Sequence, residues 1–241
     1  VEKEIPFFIE KPVALTLGKA KEVYEAVERI NLTTQVGYVS RFNDALAQMR
    51  ELFRKEPSQT VFFEASRYGS IAYGSDHWWR RRECSGGELV ERATHQVDLA
   101  RWFIGDEAET VYAQLDYSLL KDEPNFSIED FSTVIVRFRG GSIATITSTC
   151  AAKKSSTRFV AISKKVHLEA SGDKYSAYMN GENLEFKAMV NPVLEENRHF
   201  LECVAKGVET SVPYEEGLKT LEITLAAVKS AETGKVVKLP L

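Results

Sequence analysis

The sequence predicts two fold classes in series: an α/β segment, then an α+β domain built on a large, mostly antiparallel open sheet flanked by helices. Strand and helix patterns alternate up to about Phe53. Beyond Pro57, short strand-like runs follow one another across tight links rich in Gly and Asn. Two helical patterns close the chain, at about Pro192–Lys206 and Tyr214–Thr233. Alternating elements build parallel layers, whereas serial strands with tight links build antiparallel ones.

The α/β segment opens on Ile5-Pro6-Phe7-Phe8-Ile9, a continuous apolar run of the kind buried between neighbouring strands. Glu10-Lys11-Pro12 follows, and Pro12 limits the backbone of that loop. Ala20, Val23, Tyr24, Val27 and Ile30 recur at helical spacing, which predicts a helix from about Leu17 to Asn31. A strand over Thr34–Val39 and a helix from about Asp44 to Phe53, carrying Leu46, Met49 and Phe53, come next. Strand, helix and strand on short links make a parallel unit, here only the tail of one. The first residue is Val and almost nothing precedes the first strand, so the chain is expected to be a piece of a longer protein.

In the second part, strands are predicted over Thr60–Tyr68, Thr110–Leu120, Ser132–Arg139, Ser142–Cys150, Phe159–Ser163, Val166–Ala170, Tyr175–Met179 and Leu184–Lys187. Gly140-Gly141, the Ser171-Gly172-Asp173 region and Asn180-Gly181 supply the positive φ of short hairpins, so consecutive strands should pair antiparallel. Val134, Val136 and Phe138 alternate with Thr133, Ile135 and Arg137, giving one apolar face and one mixed face suited to a partner subunit.

Composition narrows the function. The chain is 44% hydrophobic and 27% charged with a net charge of −4, which gives no general attraction to nucleic acid or anionic membrane. No apolar run is long enough to cross a bilayer. Cys84, Cys150 and Cys203 are odd in number and far apart, as expected of reduced thiols in a cytoplasmic protein.

The most informative stretch is Gly86–Gly105, predicted as one helix. Leu89, Ala93, Val97, Ala100 and Ile104 share an apolar face, while Glu91, His95, Asp98 and Trp102 line up opposite. Two acids, an imidazole and a large ring suit proton chemistry in a cleft, because imidazole titrates nearest neutral pH. The alternative is a half-exposed helix whose His95 bonds a neighbour. Glu91, His95 and Asp98 also have metal-ligating chemistry, but a catalytic metal needs further ligands, and His77, His167 and His199 stand in unrelated contexts. No metal is expected. Arg80-Arg81-Arg82 is either an anion grip or a solvated charge run, and Trp79 and Trp102 are either pocket walls or core. The chain contains no Gly-x-Gly-x-x-Gly phosphate cradle.

Taken in order, these pieces resemble the Gfo/Idh/MocA family of NAD(P)-dependent oxidoreductases, which includes glucose–fructose oxidoreductase and inositol dehydrogenases. Glu10-Lys11-Pro12 matches the family's Glu-Lys-Pro motif, and Gln35–Asn43 its usual continuation. Trp79-Arg80, Gly86-Gly87, Glu91, His95 and Asp98 resemble the segment that forms the substrate pocket. The likeness spans essentially the full length but begins near the end of the family's nucleotide-binding domain. It therefore implies that residues 1–40 are the C-terminal part of a Rossmann-type dinucleotide-binding domain. Residues 41–241 would be the substrate-binding and oligomerisation domain, with the last helix able to pack back on the first.

The activity implied is hydride transfer between NAD or NADP and a CH–OH group of a sugar, inositol or related polyol, with cofactor binding impaired in this chain alone. By resemblance, His95 is the base, near its ordinary pKa of about 6.5. Lys11 steadies the alkoxide, and Glu91 accepts a substrate hydroxyl or orients the imidazole. Cofactor contacts fall on Glu10, Lys11, Pro12 and Arg41, and substrate contacts on Lys11, Trp79, Arg80, Glu91, His95 and Asp98. Glu91 and Ala93 stand where many members have Asp and Gly. The mixed sheet face, the cysteines and the net charge together lead us to expect a cytoplasmic homo-oligomer, dimer or tetramer, joined through the open sheet, with no nucleic-acid or membrane partner. Two alternatives are a non-catalytic binding or assembly module of the same fold, and a metal-dependent hydrolase or lyase using Glu91, His95 and Asp98.

Overall fold

A computed structural model describes residues 3–55, 61–71 and 74–241. β1 (Phe7–Ile9) and β2 (Thr34–Val36) pair in parallel across α1 (Leu17–Arg29), the expected strand–helix–strand tail. The Thr16 hydroxyl caps α1 by accepting from the Lys19 backbone N–H. The second strand stops three residues short of Val39, because the chain turns into a single 3-10 turn over Val39–Phe42. α2 (Asp44–Arg54) begins where the Asn43 side chain accepts from the Leu46 N–H, and it buries Leu46, Met49 and Phe53.

The rest is the predicted α+β domain. β3 (Phe62–Tyr68) is followed by the short helices α3 (Arg82–Ser85) and α4 (Glu88–Glu91), then α5 (Thr94–Ile104). Thr60, the expected first residue of β3, lies outside the described residues. Next come β4 (Ala108–Asp116), β5 (Phe131–Phe138), β6 (Ile143–Thr149), β7 (Ser156–Ile162), β8 (Val166–Ser171), β9 (Lys174–Met179) and β10 (Glu182–Phe186). α6 (Pro192–Lys206) and α7 (Tyr214–Thr233) have the expected bounds. A final strand, β11 (Val237–Lys238), was not foreseen and adds to β4.

Among the described residues, nine strands form one sheet in the order β10-β9-β8-β7-β3-β6-β5-β4-β11. The hairpins pair antiparallel as their links predict; at β9–β10, Asn180 (φ 54) and Gly181 (φ 86) both take the left-handed backbone that a two-residue turn with the sheet's twist requires. β3 departs from sequence order. It inserts between β6 and β7, parallel to the first and antiparallel to the second. This places the end of β3, with Arg67, at the middle of the sheet.

α2, α5 and α7 cover one face, where Phe63, Phe103 and Phe159 form a mutually contacting aromatic group. Each such fully buried side chain stabilises by ~1.5–3 kcal/mol relative to exposure. A second core joins β1, β2 and α1 to the first half of α7 through Val13, Val36, Tyr38, Tyr214, Leu218 and Leu221. α7 crosses that pair of strands at Gly217, where a Cβ would come within 2.5 Å of Val13 Cγ1. The other sheet face stays open, with Phe62, Ile135, Ile162 and Tyr178 exposed.

Candidate active site

The predicted helix over Gly86–Gly105 is two helices, and the break builds the site. In a continuous helix the His95 N–H would donate to the Glu91 carbonyl. Instead it donates to Arg92 O, while the Arg92 and Ala93 N–H groups both reach Glu88 O. The Glu91 carbonyl is thereby released from helix bonding. Lys11 Nζ donates to it at 2.6 Å and to Glu91 Oε1 at 2.8 Å. Side chains from the loop after β1 and from the end of α4 thus meet, with only 12% and 15% of Lys11 and Glu91 exposed.

His95 is one turn on. Its ring stands edge-on to Tyr38 at 5.9 Å, and the Tyr38 hydroxyl bonds Thr94 Oγ1 at 3.1 Å. His95 is half-buried, and its Nδ1 is enclosed without a hydrogen-bond partner; Glu91 Oε2, equally enclosed, forms an ion pair with Arg92 Nε at 3.6 Å. Buried polar atoms are almost always bonded, so the unpartnered His95 Nδ1 beside an ammonium suits a hydroxyl-bearing ligand. Burial, then the nearby charges of Lys11 and Arg67, push the His95 pKa down to about 3. The expected value near 6.5 is therefore corrected: the imidazole is neutral throughout the physiological range.

The region holds further charge that sequence reasoning missed. Glu88 is fully buried. Its Oε1 accepts from Arg67 at 2.8 Å and Ser148 at 3.0 Å, and burial raises its pKa to about 7 against the pull of Arg67 and Arg92. Behind Lys11, Glu10 stands over Gly37, where a Cβ would meet its carboxylate at 2.9 Å. Gln35 Nε2 donates to Glu196 O at 2.8 Å, leaving Gln35 Oε1 and Glu196 Oε1 buried without partners. Burial, and then Glu10, raise Glu196 to about 7. Arg67 and Glu196 carried no local signal, since each comes from an element whose neighbours are distant in sequence.

Four expected site residues lie elsewhere. Asp98 is 1% exposed, and Arg41 grips it at 2.9 and 2.6 Å. Arg41 also holds Glu216 at 2.7 Å, and Arg101 holds Glu216 at 3.2 Å. Burial would raise Glu216, but Arg101 and Arg41 overcome it and hold the carboxyl at about 2. Asp98 and Arg41 therefore lock α5 to α7 and the 3-10 turn; neither stands with Lys11 and His95. Trp79 is core rather than wall, 1% exposed beside Ile128 and Cys150, with the Arg92 guanidinium 3.6 Å over its ring. Arg80, 5% exposed, donates to Pro124 O at 2.8 Å and reaches Glu123 at 3.4 Å. It ties a loop. The metal alternative loses its geometry as well, because Glu91 turns to Lys11 and Asp98 to Arg41. Among the described residues no group of three His, Cys, Asp or Glu converges.

Residues 47–177 match the GFO/IDH/MocA C-terminal domain. The chain belongs to that family. Myo-inositol 2-dehydrogenase of Thermotoga maritima is 25% identical over 260 residues, covering 96% of this chain and 72% of the relative. The scyllo-inositol 2-dehydrogenase (NAD(+)) of Bacillus subtilis is 22% identical, covering 96% and 70%. Levoglucosan dehydrogenase, solved with NADH and levoglucosan, superposes on all of this chain and 75% of its own with a TM-score of 0.88 at 19% identity. The family member is thus an oxidoreductase by kinship, with the predicted fold.

Proposed function

We propose that this chain is the substrate-side part of a dehydrogenase that moves a hydride between NAD or NADP and a CH–OH group of a sugar, inositol or related polyol. One observation carries the reading: Lys11, delivered by the first sheet, docks on Glu91 at the helix break beside the neutral, half-buried imidazole of His95. The names of the relatives, two inositol dehydrogenases, support the substrate class.

Oxidising an alcohol removes a hydride and a proton from one centre. When bound, the nicotinamide cofactor supplies the hydride acceptor. His95, already neutral, takes the hydroxyl proton without first losing one of its own. The Lys11 ammonium faces the oxygen as negative charge grows there, and the partly enclosed setting strengthens that attraction. Glu91 fixes Lys11 through both its carboxylate and its carbonyl, and Glu91 Oε2, which lies 3.6 Å from Arg92 Nε, also accepts a substrate hydroxyl. Glu10 and Lys11, with Pro12 shaping their loop, would hold the nicotinamide end. The unpartnered acceptors of Gln35 and Glu196 fit its amide and ribose donors.

Residues 1–40 are read as the end of a dinucleotide-binding domain and 41–241 as the substrate domain. The exposed apolar side chains on the open sheet face support a homo-oligomer joined there. No helix among the described residues is long and apolar enough to cross a membrane, and three free cysteines fit a reducing cytoplasm.

The test is kinetic, in the full-length enzyme. His95→Asn should lower kcat by about 10²-fold or more, the usual weight of a general base. Lys11→Ala should harm kcat more than it raises KM. Unaltered turnover in His95→Asn would remove the assignment.

A further inference from the structure

Building on the dehydrogenase reading, we propose that a cavity beside the Lys11–His95 site is a distal subsite for a second, uncharged sugar ring. The substrate is then a glycoside or disaccharide, not a lone sugar. The cavity lies between the 3-10 turn over Val39–Phe42, α2, α5 and strands β7 to β9, and measures about 200 Å³. An apolar cavity of about 150 Å³ holds benzene, so this one has room for a single six-membered ring. Three of its lining residues adjoin the site already described. Gln96 follows His95, and Val39 follows Tyr38, whose ring stands edge-on to His95. Thr157 is the cross-strand partner of Arg67, so those two side chains share one face of the sheet.

The lining suits a neutral polyol. Among the described residues, Arg158 is the one charged residue on it, and Arg158 is spent on Glu169 at 2.9 Å and Glu64 at 3.5 Å. Leu46, Leu99, Phe159 and the Tyr175 ring supply apolar walls for the C–H faces of a sugar. Gln96 Oε1 is buried there without a hydrogen-bond partner. Such an acceptor is costly to leave unbonded, which points to a donor brought by a ligand. Tyr175 offers the opposite sense: its hydroxyl accepts from Asn43 Nδ2 at 3.1 Å, which leaves its own proton to donate. Ser40 and Thr157 add two more hydroxyls. Sugar hydroxyls donate and accept at once, so one ring satisfies both Gln96 and Tyr175. A carboxylate has no proton for Gln96 and would meet no free cation.

The test is selectivity, measured in the full-length enzyme with its cofactor. Glucose, galactose and myo-inositol are each compared with two-ring counterparts: maltose and cellobiose, lactose, and galactinol. At least one two-ring sugar should show a kcat/KM about tenfold or more above its single-ring counterpart, because binding of the remote ring is spent at the reacting one. In Gln96→Leu that ratio should fall about tenfold, the weight of one hydrogen bond. The melting temperature should hold or rise, since the lost acceptor bonds nothing in the fold. Tyr175→Phe keeps the ring and should lower the same ratio, which covers a Gln96→Leu that does not fold. A preference for single rings throughout the panel, or a ratio unmoved in the folded variants, would overturn the proposal. If no sugar turns over, the dehydrogenase reading fails, and calorimetry with the same sugars judges the subsite alone. Two-ring binding no tighter than single-ring binding would then overturn it.

Discussion

Asp98→Asn separates two roles that share one residue type. If Asp98 is a structural partner, its loss should cost stability and leave chemistry intact. The carboxylate is 1% exposed, accepts from Arg41 at 2.9 and 2.6 Å, and lies 3.4 Å from the Thr220 hydroxyl. Removing one member of a buried ion pair costs ~3–5 kcal/mol, because the other charge stays desolvated. Arg41 keeps Glu216 at 2.7 Å, and the new amide still offers one oxygen, so about 3 kcal/mol is expected. At roughly 2–4 °C per kcal/mol for a chain of this size, the melting temperature should fall by about 6–12 °C. Urea unfolding gives the free energy, and turnover at a permissive temperature gives the chemistry. A variant that melts like the parent but loses turnover would refute the structural role and return Asp98 to the substrate.

Two other predictions concern pH and packing. Because the His95 pKa is about 3 in the fold, against about 6.5 unfolded, its contribution is complete above pH 6.5 and is lost as pH falls toward 3. The parent should therefore lose more urea stability between pH 7 and pH 4.5 than His95→Gln, and its kcat/KM should show no acid limb near 6.5. A limb at 6.5 that vanishes in His95→Asn would contradict the half-buried, neutral imidazole. Glu88 and Glu196, raised to about 7, act in the opposite sense, and the difference between parent and variant cancels them. Gly217→Ala should destabilise by about 1–3 kcal/mol in thermal melts, since its methyl would sit 2.5 Å from Val13 Cγ1. Neutral behaviour would mean that α7 can slide on β1 and β2.

Much of the architecture was legible because it is written locally. Helical spacing set the two terminal helices to the residue, and Gly-containing dipeptides marked the hairpins. The insertion of β3 between β6 and β7 was not, since strand order across a sheet depends on contacts far apart in sequence. At the site, motif order named Lys11, Glu91 and His95, and these meet or adjoin. The spacing of Glu91, His95 and Asp98 implied one ridge, but the turn at Arg92 divides it and Arg41 draws Asp98 away. A four-residue interval reveals neither a break in the helix nor an ion pair to another segment. Burial had the same effect on Trp79 and Arg80, whose polarity and size alone suggested a pocket.

α7 belongs to both cores: Tyr214, Leu218 and Leu221 pack with the first sheet, and Ile223, Ala226 and Ala227 with the second. The segment before it is stitched to β2 through Val36 N–H to Val212 O and Thr210 Oγ1 to Thr34 O. Neither half can melt without stripping the same rod of its cover, so the molecule should lose its order in a single cooperative step. The spacing between ammonium and imidazole is thereby governed from the far end of the polypeptide, and a frayed tail would loosen Lys11 from His95 before touching either.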